Sequence, residues 1–111
     1  MNLSPYNLQV ATIIKPDGTT EELNPQNGKS FTYKEIQEAI KPGCLIQPIQ
    51  LRYWTTDKDA KKMNFICDEE GMINGSQHNE KASDLLQAIL GPHAQDLYGN
   101  IIFIPNKLFK I

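Results

Sequence analysis

Few side chains in this chain of 111 residues are suited to acid-base, nucleophilic or metal chemistry: two histidines, His78 and His93, and two cysteines, Cys44 and Cys67. Their spacing does not match a metal-ligand pattern. There is no paired-cysteine motif and no histidine pair at helical spacing. Ser76 and Ser83 lie near His78, but a nucleophile and its base are defined by geometry, not by nearness in sequence. Asp57 and Asp59, in TTDKDAKK, alternate as in a calcium loop, yet no central glycine or closing glutamate follows. A glycine-rich phosphate loop is also missing. The sequence therefore implies no catalytic residue, metal site or cofactor, and it reads as a non-enzymatic protein.

Two constellations remain. In the first, Glu69 and Glu70 sit on an acidic turn, and His78 and Asn79 meet the start of a helix. Free backbone N–H groups at such a start attract anions, so a small anionic ligand is one reading. The other is that Asn79 caps the helix, His78 is solvated and the glutamates keep the turn soluble. In the second, Arg52 and Trp54 are alternate residues of a predicted strand and so share a face. Arginine and tryptophan are typical interface anchors, which points to a protein partner or a homodimer. Against this stands a surface arginine packed along the indole as a cation–π pair. The candidate binding residues are thus Arg52, Trp54, Glu70, His78 and Asn79.

The elements that position these groups can be read locally. Leu8, Val10, Thr12 and Ile14 alternate as a first strand, Pro16-Asp17-Gly18 turns the chain, and Thr19 to Leu23 returns as a polar edge strand. Thr32 and Glu35 form a capping box, with Phe31 and Ile36 as a hydrophobic staple, ahead of a helix whose face carries Tyr33, Ile36, Ala39 and Ile40. Pro42-Gly43 ends it. Residues 44–54 form the longest strand candidate, with Leu45, Ile49, Leu51 and Tyr53 toward the helices and Gln50, Arg52 and Trp54 on the other face. Pro48 marks an edge or a bulge, because it cannot donate to a ladder.

Met63, Phe65 and Cys67 alternate with Asn64, Ile66 and Asp68, the period of a strand with one buried face. Gly71 is expected to end the following turn at positive φ, Met72-Ile73 to return as a short strand, and Asn74-Gly75 to turn again. Asn79 caps a second helix on which Ala82, Leu85, Leu86 and Ile89 recur at helical spacing, and Gly91-Pro92 stops it. Ser83 falls mid-helix, where alanine should cost little. Ile101 to Ile104, apolar on both faces, fits a central strand. The tail NKLFKI offers Leu108, Phe109 and Ile111 to the domain or to a partner. If 44–54 and 63–68 form a hairpin, Cys67 pairs near Ile49 and Cys44 lies on the order of 16 Å away, beyond disulfide reach. Both thiols are then expected reduced and buried.

Composition bounds the rest. Apolar content of 40% and charged content of 22% are those of an ordinary globular protein, and one domain is expected. A formal net charge of −2 argues against a dedicated nucleic-acid binder, and is too small for a DNA mimic. No apolar run approaches the ~20 residues that span a bilayer. MNLSPYNLQ lacks the basic and apolar regions of a signal peptide, so a cytoplasmic location is expected. The Asn74-Gly75-Ser76 sequon carries no weight without secretion.

Three segments carry a family resemblance. Gly43-Cys44-Leu45-Ile46-Gln47-Pro48-Ile49 resembles a glycine-led long strand. Asn64 to Gly71, followed by Asn79 and Ala82, resembles an asparagine-glutamate-glycine turn with an asparagine before a helix. Tyr98-Gly99-Asn100-Ile101-Ile102 resembles a closing glycine and apolar strand. Together they are similar to a group of small proteins of bacteria, phages and plasmids classed as a domain of unknown function. Asp68 stands where that group often has asparagine, and Cys44 where a second glycine is often seen. The resemblance implies a fold and a mobile-element context and supplies no catalytic residues. The combined reading is a compact α+β domain of order ββαββαβ, with a mixed or antiparallel sheet and two helices. It acts as a binding or accessory protein, with a small-ligand or nucleotide binder, such as a sponge for a defence signal, as the alternative.

Overall fold

Alternation in Met63–Asp68 leads one to expect a strand with one wet face, yet all six residues are buried in the computed structural model. The reason is position. The structure describes residue 3 and residues 5–110, and these build a five-stranded sheet covered on both faces. The strands are β1 (Ala11–Ile14), β2 (Thr20–Leu23), β3 (Ile46–Gln50), β4 (Met63–Asp68) and β5 (Ile101–Pro105), and the helices are α1 (Tyr33–Ile40) and α2 (Glu80–Leu90). The sheet order is β2-β1-β5-β4-β3, and every neighbouring pair is antiparallel. The expected α+β order ββαββαβ is the observed one, and the sheet is purely antiparallel.

The apolar run Ile101–Pro105 occupies the central position, as its two apolar faces require. One side of the sheet gathers Ile14, Ile49, Met63, Phe65, Cys67, Ile101 and Phe103 beneath Ala82 and Leu86 of α2. Phe65 and Phe103 stack there with ring centroids 4.9 Å apart. The other side gathers Ala11, Ile13, Ile66, Ile102 and Ile104 beneath Ile36 and Ile40 of α1. Phe109 closes that second layer, and the Leu108 carbonyl accepts from the Phe31 N–H at 2.7 Å, so the tail docks on its own domain. Ile111 lies outside the described residues.

The local code of α1 is realised in full. Thr32 Oγ1 accepts from the Glu35 N–H at 3.2 Å, and Glu35 Oε1 accepts from the Thr32 N–H at 2.8 Å. Glu35 Oε2 also accepts from the Gln26 N–H at 2.9 Å, and these N–H donors hold the Glu35 carboxyl below its usual range. Tyr33 departs from the expected buried face. It is exposed, and its hydroxyl accepts from the Ile46 N–H at 3.4 Å.

Four further expectations are corrected. The first strand is shorter than its alternation, because residues 7–10 are turn. Met72 and Ile73 form no strand; they lie in the turn and are exposed. Gly71 does not take positive φ. It is required for closeness instead, since a Cβ there would meet Tyr98 Cβ and the Tyr98 carbonyl at 3.2 Å. Cys67 pairs with Gln47, two residues from the expected Ile49. Cys44 packs on the α1 side and Cys67 on the α2 side, so the sheet itself separates two free, buried thiols.

Ser83 overturns the expectation that alanine there is harmless. It is buried, and its Oγ accepts from the Leu97 N–H at 2.7 Å. Ser83→Ala leaves that N–H without a partner, a cost of about 1–3 kcal/mol. Thr32→Ala removes an exposed cap, at about 1 kcal/mol. Chemical denaturation should rank Ser83→Ala as equal or worse. A clearly smaller loss at Ser83 would mean that Leu97 finds another acceptor.

Burial, with Asp68 second, pushes the Cys67 thiol up to about 12. In the unfolded chain a cysteine ionises near ~8.5. Above that pH the unfolded state therefore binds fewer protons than the native one, and stability falls as pH rises from about 8.5 toward 12. Cys67→Ala should make that fall shallower. Thiol labelling at pH 8 should be slow in the native protein for both cysteines and fast after unfolding.

Candidate functional site

The Asn79 side chain makes three hydrogen bonds, and all of them are internal. It is completely buried. Its Oδ1 caps α2 by accepting from the Ala82 N–H at 3.0 Å, and its Nδ2 donates to the Ile14 carbonyl at 2.8 Å and the Gly99 carbonyl at 2.9 Å. Its backbone N–H donates to the Leu97 carbonyl at 2.8 Å. The cap was legible in the sequence, whereas the bonds to residues 14 and 99 depend on the fold. A side chain so occupied has nothing left to offer a ligand.

His78 next to it is exposed. Its Nε2 lies 3.1 Å from Asp96 Oδ1 and 3.4 Å from Ser83 Oγ, and its ring meets Tyr98 edge-on at 5.3 Å. Serine, histidine and carboxylate thus do come together, but both partners meet one ring nitrogen. A relay needs the serine on one nitrogen and the carboxylate on the other. Ser83 Oγ is also buried and lies against the Leu97 N–H. Here the trio fastens the 91–98 segment to α2.

Glu70 stays apart from this group. It is exposed on the turn, and among the described residues no hydrogen bond or ion pair joins it to His78. The turn is organised by Asp68, which is buried and accepts from the Glu70 N–H at 2.9 Å and from Asn74 Nδ2 at 3.2 Å. Asp96 on His78 and Glu80 in the first turn set carboxylates beside the start of α2, and Lys81 is turned to the Gly18 carbonyl at 3.3 Å.

Arg52 and Trp54 do not share a strand face. β3 stops at Gln50, and Leu51–Tyr53 coil into a 3-10 turn that carries Leu51 into the core. The same turn swings the next three side chains outward. Tyr53 and Trp54 are 68% and 71% exposed, and Arg52 stacks on Tyr53, not Trp54, with its carbon 4.9 Å from the ring centroid. Tyr53, expected in the core, was missed as a surface residue because a 3-10 turn has a different period from a strand.

Beside this aromatic lip runs a groove of about 430 Å³, with Pro48 and Ile49 on the β3 side and Leu86, Leu90 and Ala94 on the α2 side. The adjoining edge of the sheet is poorly suited to strand addition. Glu69 donates to the Leu45 carbonyl, so by antiparallel alternation Gln47 and Ile49 bond to β4, while Ile46, Pro48 and Gln50 face outward. Of these, the Ile46 N–H is taken by Tyr33 and Pro48 has none. Among the described residues no cluster of histidine, cysteine or carboxylate groups is arranged to hold a metal ion, and no helix is long and apolar enough to cross a membrane.

No family model, curated protein or solved structure matches this chain.

Asn79→Asp separates the cap from the other two bonds. Aspartate is as good an N-cap, but it has no donor for the Ile14 and Gly99 carbonyls and sets a carboxylate against them. Losses of about 1–3 kcal/mol attend each buried group left unpaired, so a fall of at least about 3 kcal/mol is expected in urea unfolding. A change near zero would reduce Asn79 to a helix cap.

Proposed function

We propose that this chain is a non-enzymatic binding protein that works through the aromatic lip and the apolar groove on the α2 side of the sheet. The observation that carries this reading is the exposure of Tyr53 and of the only tryptophan beside a groove floored by Ile49, Leu86 and Leu90. Clustered exposed apolar groups mark contact surfaces, and tryptophan, tyrosine and arginine supply most of the energy at such contacts. Met72 extends the apolar surface, lining the neighbouring cleft that shares Gln95 with the groove.

A second copy of the chain is the occupant that this patch favours. A projecting lip and a receptive groove stand on one face, so across a two-fold axis each lip enters the other's groove. The alternative contact, strand addition at β3, offers little because Pro48 and the engaged Ile46 N–H remove its rungs. The sequence resemblance at residues 43–49, at 64–71 with Asn79 and Ala82, and at 98–102 would set such a protein in a bacterial, phage or plasmid context.

Sedimentation across a hundredfold range of concentration should show reversible self-association, with Trp54 emission shifting to the blue as the dimer forms. Trp54→Ala should abolish association and leave the melting temperature within a few degrees, since an exposed side chain contributes little to folding. A monomer at all concentrations with an unshifted, solvent-exposed indole would exclude the second copy, and a buried indole in dilute monomer would exclude the surface altogether.

A further inference from the structure

On the other side of the 3-10 turn lies a cleft of different character. The register Met63↔Pro105 brings the start of β4 and the end of β5 together. At that end of the sheet a space of about 420 Å³ is lined by Arg52, Asn64, Asn106, Lys107, Phe109 and Lys110. Three cations line it, with the Arg52 guanidinium also resting on Tyr53, and among the described residues no carboxylate does. Lys61 and Lys62 sit just before β4, and the Lys61 carbonyl accepts from Asn106 Nδ2 at 3.1 Å. Among the described residues none of these five cations forms an ion pair. The nearest carboxylates in sequence are Asp57 and Asp59, and Asp57 is spent on the N–H groups of Asp59 and Ala60.

The chain as a whole carries −2, so this concentration of positive charge is a local feature. The acidic turn at Asp68-Glu69-Glu70 stands at the far end of β4, about 17 Å away at the usual strand rise. The acidic turn and the cationic cleft thus stand at opposite ends of β4. The wall of the cleft is also rigid. Asn64 is on a buried strand, and its Nδ2 donates to Asn106 Oδ1 at 2.6 Å, which fixes both amides in one orientation. Lys107 is tethered to Gln9 by its ammonium group. Cations without an ion-pair partner among the described residues are donors for a phosphate group, Phe109 is an aromatic wall, and the Asn64–Asn106 pair, held by its own internal bonds, leaves only its remaining amide valences for an attached polar ring.

We propose that this cleft binds a phosphate-bearing ligand of mononucleotide size, held by Arg52, Lys107 and Lys110 through the phosphate and by the Asn64–Asn106 pair through the attached group. The site is distinct from the aromatic groove, which lies on the α2 side, and it requires neither Trp54 nor self-association.

The test is calorimetric titration of the full chain with AMP, ADP, inorganic phosphate and adenosine at low and high salt. AMP and ADP should bind, with affinity falling as salt rises. Inorganic phosphate should bind more weakly and adenosine not at all. Lys107→Gln and Lys110→Gln should each weaken AMP by about tenfold, the value of one lost charge-assisted bond. Trp54→Ala should leave AMP binding unchanged, which separates this site from the contact surface. Absence of binding by both nucleotides, equal affinity for adenosine, or unaltered affinity in both lysine variants would overturn the proposal. Inorganic phosphate binding as tightly as AMP would overturn it as a nucleotide site. A single-stranded RNA oligomer binding far more tightly than AMP would also overturn it, as the mark of a surface that tracks a nucleic-acid backbone.

Discussion

The fold depends on one buried amide. Asn79 ties the last residue of β1, the approach to β5 and the first turn of α2 through a single side chain that makes three hydrogen bonds. Each of those partners would otherwise be an unpaired polar group in an apolar layer, which is costly because water has been excluded from it. No other residue type supplies a cap acceptor and two donors from the same short side chain. The bonds also set geometry. By fixing where α2 begins relative to β1 and β5, they decide which residues of α2 reach the sheet, and so where Leu86 and Leu90 meet β3 to form the groove.

The 3-10 turn after β3 is the second determinant, and it acts on the surface. Leu51 must enter the core between Ile49 and Ala60, and the chain coils to bring it there. That coil ends the strand and turns Arg52, Tyr53 and Trp54 outward, with the Arg52 guanidinium lying on the Tyr53 ring between the two surfaces. The cationic cleft and the aromatic lip are thus neighbours produced by a single bend, with Gln50 bordering both. Their chemistry differs because the two sides of the sheet differ. The α1 side is closed at this end by the tail, which brings Lys107 and Lys110, while the α2 side is left open where α2 stops at Gly91.

What could be read in the sequence was what is decided locally. The capping box of Thr32 and Glu35, the hairpin at Gly18, the cap at Asn79 and the doubly apolar β5 each depend on residues a few positions apart. What could not be read depends on tertiary position. The period of Met63–Asp68 marks a strand, but only its place between β3 and β5 buries both faces. Ser83 looked like a tolerable mid-helix residue because its partner, Leu97, is brought to it by the fold. Arg52 and Trp54 were picked correctly as residues outside the core, yet their shared face was an artefact of extending a strand through Leu51. The tail showed its apolar residues, and its two lysines gained meaning only when β5 delivered them beside Arg52.

The two outer strands also bear on how the molecule behaves when crowded. A sheet with five strands has two open borders, and an open border is where chains zip into fibres. At β3 two of the three outward positions offer no free N–H, Pro48 because it has none and Ile46 because Tyr33 engages it, which leaves Gln50. At β2 the exposed residues are Thr20, Glu21 and Glu22; Lys15 pairs with Glu21, and Glu22 would meet like charge in a copy laid alongside in register. Both borders thus carry features that oppose templated growth, one in the chemistry of the backbone and one in charge.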